Sequence, residues 1–175
     1  MDWTYFHLVM NHFPVIGAIF GMVILGWGLF RGSEEVKNLG LTVMIVTALV
    51  AIPVYLTGEP AEETVERLPG VLEAAIEQHE EFAKYGLAAA IASGVAALVS
   101  LIYSWFRPGQ GGVGRLMAIV TLALSIATVG AMSWTAKLGG VIRHTEISAV
   151  GAQTNEQPEK EKTEGGQRGE TEDDD

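Results

Sequence analysis

Four long apolar stretches dominate this chain and limit what it can fold into. Each approaches the roughly 20 apolar residues that a helix needs to cross a bilayer, and the only fully charged residue inside them is Lys84. Lys84 lies two residues into the third stretch, where its long side chain can extend to the membrane surface. We therefore predict an all-α fold, an up-and-down bundle of four transmembrane helices formed by residues 1–151. The four stretches are Phe13–Phe30, Leu39–Thr57, Phe82–Phe106 and Leu116–Ala136.

Two segments outside these stretches are acidic. Segment 59–81, between the second and third stretches, holds 8 acids and one base, Arg67, and we predict an acidic interfacial helix there. Residues 152–175 hold 9 acids, 3 bases and no Val, Ile, Leu, Phe, Met, Trp or Tyr. Such a composition cannot build a packed core, so it predicts a disordered acidic tail.

Composition also excludes several functions. The net charge of −10 over 175 residues argues against nucleic acid as a partner. The chain has no cysteine, which excludes thiolate nucleophiles, Cys-ligated iron–sulfur clusters and covalently attached haem. No nucleophile–base pair, phosphate-binding glycine loop or intramembrane acid is evident. We expect an electron-transfer or structural protein rather than an independent enzyme.

All four histidines fall at one end of the predicted bundle. His7 and His12 precede the first stretch, His79 precedes the third, and His144 follows the fourth. Four spans alternate in direction, so these positions share one side of the membrane whichever way the chain inserts. Imidazole suits the headgroup region, but it also ligates haem iron, zinc and copper. Facing helices of a bundle build such sites.

The spacing of the first two histidines bears on which of them ligates. His7 and His12 are about 140° apart around a helix, so one straight helix cannot direct both inward. His12, beside Phe13-Pro14, lies closest to the apolar stretch. We expect His12 to be a ligand, with His79 as its partner.

Three interpretations remain open. The first is a non-covalent haem b held by two of the histidines. The second is a zinc or copper site built from three or four of them, with Glu80, Glu81 or Met10 as further ligands. The third is a membrane subunit without a cofactor, whose histidines only form hydrogen bonds. Because the hydrocarbon is about 30 Å thick, a haem at one rim would exchange electrons at that surface, with quinone or with a soluble or peripheral redox protein.

Two short motifs resemble a known family. The segment His7-Leu-Val-Met-Asn-His12-Phe-Pro resembles the His-Pro-x-x-x-His-Phe-Pro opening of a bacterial four-helix membrane family, domain of unknown function twenty-two thirty-one. The segment Gly139-Gly140-Val-Ile-Arg143-His144 resembles that family's closing Gly-Gly and Arg-His-Gly motif. The chain departs from the pattern at Leu8, where the family often has Pro, and at Thr145, where it often has Gly.

The resemblance covers about residues 5–150 and implies a function. Members of the family sometimes occur beside Rieske-type redox domains, which implies a membrane electron-transfer role with a b-type haem, alone or as a subunit of a larger complex. His7, His12, His79 and His144 would then be the candidate ligands. Arg143 could pair with a haem propionate, with Glu146 or with a lipid phosphate.

The distribution of bases predicts the orientation. No Lys or Arg precedes the first stretch, and Arg31 and Lys37 follow it at once. The positive-inside rule therefore places the N-terminus outside, and four spans return the C-terminus to the same side. We expect a multi-pass protein of the bacterial inner membrane. Over all the span ends, four bases fall on each side, so this orientation depends on the first span.

Overall fold

Most of the chain that the structure describes is helical. The structure is a computed structural model. It describes residues 3–69, 71–107 and 111–143, and these residues contain no strand. The helices are α1 (Trp3–Met10), α2 (His12–Arg31), α3 (Glu34–Leu56), α4 (Gly58–Val65), α5 (Glu73–Phe106) and α6 (Gly111–Arg143).

Four helical stretches are long and apolar enough to cross a membrane, which confirms the number predicted. They are Trp3–Arg31, Glu34–Val65, Glu73–Phe106 and Gly112–Ile142. The first runs through both α1 and α2, because Asn11 keeps helical backbone angles (φ −62°, ψ −22°). The Asn11 amide also donates to the His7 carbonyl at 2.9 Å. The predicted acidic tail lies outside the described residues.

The four long helices form a closed ring. Helix α2 packs on α3, α3 on α5, α5 on α6, and α6 returns to α2, while α1 packs on α4 beside the ring. Consecutive long helices are therefore neighbours, as short connections favour. Helices α2 and α5 begin, and α3 and α6 finish, at one end of the bundle, which we call the histidine end. We call the opposite end the loop end.

The interior of the bundle holds mainly small and hydroxyl-bearing side chains with a few large apolar ones, and most of the large apolar side chains lie outside. Ala18, Ala90 and Ala97 are fully buried. By contrast, Phe20 and Leu49 are 59% and 62% exposed. A water-soluble domain reverses this arrangement, because it buries its large apolar side chains. Small residues at helix contacts and bulky ones outside are typical of helices packed within lipid.

Glycines allow the backbones of α2 and α3 to approach closely. Gly28 lies against the backbone of Lys37, where there is no room for a Cβ atom. A Cβ atom on Gly40 would stand 2.5 Å from the amide nitrogen of Leu25. Both contacts are with backbone, which cannot rotate away as a flexible side chain can. These glycines set the distance between the first two spans.

Hydroxyl groups join α5 to α6 inside the bundle. The Thr128 hydroxyl of α6 lies within hydrogen-bonding distance of two groups of α5, the Ala89 carbonyl at 3.0 Å and the Ser93 hydroxyl at 3.2 Å. Ser100 and Thr121 share a hydrogen bond of 3.1 Å two turns further toward the loop end. Buried hydroxyls need such partners, and hydrogen bonds between helices help to hold them together in an apolar solvent.

The acidic segment 59–81 is divided between two helices, α4 and the start of α5. Helix α4 carries Glu59, Glu62 and Glu63 and packs on α1. Helix α5 begins at Glu73 and continues without a break into the third span. A helix is thus present where an acidic one was predicted, and its position at a membrane interface remains a prediction.

The close approach at Gly28 predicts a large effect for a small substitution. Gly28→Ala should lower the free energy of unfolding in detergent micelles by about 1–3 kcal/mol, because the new methyl group meets backbone. The matched control is Gly130→Ala in α6, where a Cβ atom has nothing within 4 Å. Its free energy of unfolding should be unchanged or raised by less than about 1 kcal/mol. Equal effects of the two substitutions would contradict the close approach.

Candidate functional site

His7 joins the first span to the end of α3. Its Nδ1 atom lies 3.1 Å from the Val54 carbonyl oxygen and 3.2 Å from the Thr57 hydroxyl. The Thr57 hydroxyl itself donates to the same carbonyl at 2.8 Å. Because the Thr57 proton is directed at the Val54 carbonyl, Nδ1 of His7 is assigned the proton that it donates to the same oxygen. The ring therefore caps a carbonyl in the last turn of α3.

His79 makes the equivalent contact between α5 and α6. Its Nδ1 atom donates to the Thr135 carbonyl at 2.9 Å. The ring lies over Gly139, where a Cβ atom would stand 3.0 Å from Cε1 and 3.2 Å from Nδ1 of His79. Glycine at position 139 leaves the space that the imidazole uses to reach the Thr135 carbonyl one turn earlier.

His12 has a different environment. It is exposed, and its Nδ1 atom bonds to the Leu8 carbonyl of its own helical turn at 3.0 Å. We expected His12 to be the partner of His79, but the structure leaves His12 on the outer surface and makes no bond from it to another span among the described residues. His7 takes the inner position instead.

Helical register explains which histidine faces inward. The buried residues of α2 follow a spacing of four and three: Pro14, Ala18, Gly21, Leu25 and Gly28. His7 lies one heptad before Pro14, on the same face, whereas His12 lies two residues before Pro14 and faces the opposite way. His79 likewise lies one heptad before the buried Gly86 of α5. The lines of buried residues along α2 and α5, continued toward the N-termini, therefore reach His7 and His79.

His7 and His79 lie at the same end of the bundle, each at the start of a span. The two imidazoles, from α1 and α5, are close enough for their charges to interact, and both rings are half-buried. Sequence reasoning correctly placed His7, His12 and His79 at one end of the bundle. It did not identify Val54 and Thr135, whose carbonyls lie beside the two rings, because nothing in the sequence marks a backbone carbonyl as a partner.

The two rings have the same free atom. Each Nδ1–H is held by a backbone carbonyl, so a neutral ring has its lone pair on Nε2. No hydrogen bond from either Nε2 atom occurs within the described ranges. Ligating histidines are typically fixed in this way, with one ring nitrogen donating to a carbonyl and the other directed at the metal.

The surroundings of the histidine pair are acidic. Glu62 of α4 lies within electrostatic range of Glu80 and Lys84 on α5. Lys84 is paired with Glu80 at 3.0 Å, so this base is already neutralised. Lys137, the base near the end of α6, lies over the Trp134 ring at 4.7 Å from its centroid. The exposed carboxylates of α4 and of the first turns of α5 outnumber the bases there.

Two of the predicted site residues lie at the limit of the structure. Arg143 is the last residue of α6, and its side chain falls outside what the structure describes, as does His144. In residues 3–69, 71–107 and 111–143, no three His, Asp or Glu side chains are arranged to hold a metal ion. The zinc or copper interpretation, which needs three or four histidines, therefore gains no support from the described residues.

Comparisons with family models, with curated proteins and with solved structures each return no match. The resemblance of the two terminal motifs to the four-helix membrane family therefore remains a prediction.

The fit of His79 over Gly139 predicts a contrast between adjacent glycines. Gly139→Ala should push the imidazole away from the Thr135 carbonyl and leave the protein about 1 kcal/mol less stable than Gly140→Ala, the net value of a hydrogen bond. Gly140→Ala changes the next residue of the same helix, where a Cβ atom has nothing within 4 Å. Unfolding in detergent micelles measures both. A Gly139→Ala protein as stable as Gly140→Ala would show that the ring is not held there.

Proposed function

We propose that this protein is a membrane b-type cytochrome-like electron-transfer protein, alone or as a subunit of a redox complex, with His7 and His79 as its haem ligands. One observation carries the proposal: two half-buried imidazoles from different spans lie within electrostatic range of each other, each with Nδ1 against a backbone carbonyl of a neighbouring helix. Each ring would hold haem iron through its Nε2 atom. The absence of cysteine is consistent with a haem held without covalent attachment.

The chemistry of the donor set fits haem better than zinc or copper. His7 and His79 would suffice to hold a haem as two neutral imidazoles, whereas a protein zinc site takes three or four protein ligands. When bound, the haem supplies reversible one-electron transfer. The residues of this chain hold the two imidazoles in position: Val54 and Thr135 through their carbonyls, and Gly139 by leaving space for a ring.

The position of the pair suggests where electrons enter and leave. Both histidines lie at the same end of the bundle, so exchange takes place at one membrane surface, with quinone or with a soluble or peripheral redox protein. The exposed carboxylates of α4 and α5 favour a cationic partner, whose approach they would accelerate. By the positive-inside rule this surface is the outer side of the bacterial inner membrane, with both termini there.

The proposal predicts which histidines are needed for haem. In full-length protein produced with haem supplementation, a pyridine haemochrome assay should detect b-type haem. His7→Gln and His79→Gln should each lower the haem content at least about tenfold, since loss of even an outer-shell partner costs 10–100-fold in affinity. His12→Gln is the matched control and should retain the haem, because His12 is exposed.

Folding of the variants must be checked separately, because His7 and His79 also join helices. His7→Gly and His79→Gly with imidazole added to the medium should recover the haem spectrum if only the ligand is missing. A wild-type protein with no Soret band would contradict the proposal and favour a subunit without a cofactor. Loss of haem in His12→Gln but not in His7→Gln would refute His7 as the ligand.

A further inference from the structure

A groove at the loop end, far from the histidines, has no role in the proposed function. It has a volume of about 380 Å³ and lies between the last turns of α5 and the first turns of α6. Its lining residues are Val99, Ile102, Tyr103, Phe106, Arg107 and Met117.

The groove is apolar along most of its length and charged at one end. Val99, Ile102 and Met117 line its apolar part, and Arg107 follows Phe106, the last residue of α5. Eight residues separate Val99 from Arg107, which corresponds to about 12 Å along the helix axis. The charge of Arg107 therefore stands about 12 Å nearer the end of α5 than Val99 does. This polarity matches a molecule with a charged head and a hydrocarbon chain.

The groove opens outward, toward the side that lipid would cover. Val99, Ile102 and Phe106 are 47%, 44% and 77% exposed. The adjacent Trp105 is 82% exposed, and exposed Trp at the end of a span is typical of the headgroup level of a membrane. An occupant that enters from the bilayer thus meets the apolar part with its chain and Arg107 with its headgroup.

The charge at the mouth is available for an anion. Arg107 forms no ion pair with a carboxylate of the described residues, whose pairs are Lys37–Glu34 and Lys84–Glu80. Arg31 and Arg115, both exposed, lie at the same end of the bundle. A guanidinium group binds phosphate through two parallel hydrogen bonds. The mouth of the groove is therefore complementary to an anionic headgroup.

We propose that this groove binds an anionic phospholipid, with one acyl chain along Val99, Ile102 and Met117 and the phosphate on Arg107. The inference does not depend on the histidine site, so haem binding and lipid binding can fail independently.

The test measures the melting temperature of the full-length protein in a neutral detergent as phospholipid is added. Phosphatidylglycerol should raise the melting temperature with saturation, and phosphatidylcholine or inorganic phosphate at the same concentration should raise it much less. Arg107→Gln should weaken the apparent affinity for phosphatidylglycerol about tenfold, because a charge-assisted hydrogen bond is lost. Arg115→Gln removes the same charge from an exposed site outside the groove and should leave the affinity within about twofold.

A second variant tests the apolar part without changing charge. Ile102→Trp fills the groove from an exposed position, so the fold should persist while phosphatidylglycerol loses its stabilising effect. Equal losses in Arg107→Gln and Arg115→Gln would overturn the proposal, because they would indicate only general attraction to a basic end. Stabilisation by phosphatidylcholine or by inorganic phosphate equal to that by phosphatidylglycerol would overturn it as well, as would unchanged binding in Ile102→Trp.

Discussion

Close approach of the helix backbones is the constraint on which the rest of this structure depends. Lipid offers no hydrophobic force to press helices together, so van der Waals contact and internal hydrogen bonds must do so. Gly28 and Gly40 meet backbone atoms of the neighbouring helix directly. Between α5 and α6 the same closeness allows Thr128 to reach both a hydroxyl and a carbonyl of the facing helix. Larger side chains at these positions would separate the spans and break both kinds of contact.

The candidate site is a continuation of this packing. The line of buried residues along α5 that contains Gly86 leads to His79. The corresponding line along α2 leads through Pro14 to His7. At the histidine end the spacing between helices is small enough for an imidazole to reach a carbonyl of the next helix, at 2.9 Å for His79 and 3.1 Å for His7. Helix packing thus sets the position of each ring and the nitrogen that donates. Because Nδ1 donates in each ring, Nε2 of each neutral ring carries no proton.

Part of this arrangement could be predicted from the sequence, and the physical reasons for the rest are clear. Length and apolarity are properties of a segment, so they predicted four spans, and alternation of direction placed His7, His12 and His79 at one end. The choice between His7 and His12 depends on helical phase. Proximity to the apolar stretch favoured His12, whereas the heptad that ends at Pro14 selects His7. The carbonyls of Val54 and Thr135 could not be predicted, because every residue carries one and only packing decides which accepts.

The central claim is that His7 and His79 present free Nε2 atoms because their Nδ1–H groups are held by backbone carbonyls. The most direct test is nitrogen-15 NMR of the full-length, histidine-labelled protein in bilayers. The sample contains no added haem and is kept at a pH above the ordinary imidazole pKa. His7→Gln and His79→Gln assign the two signals. The account predicts a protonated Nδ1 and an unprotonated Nε2 for both residues. A proton on Nε2 of either ring would contradict it.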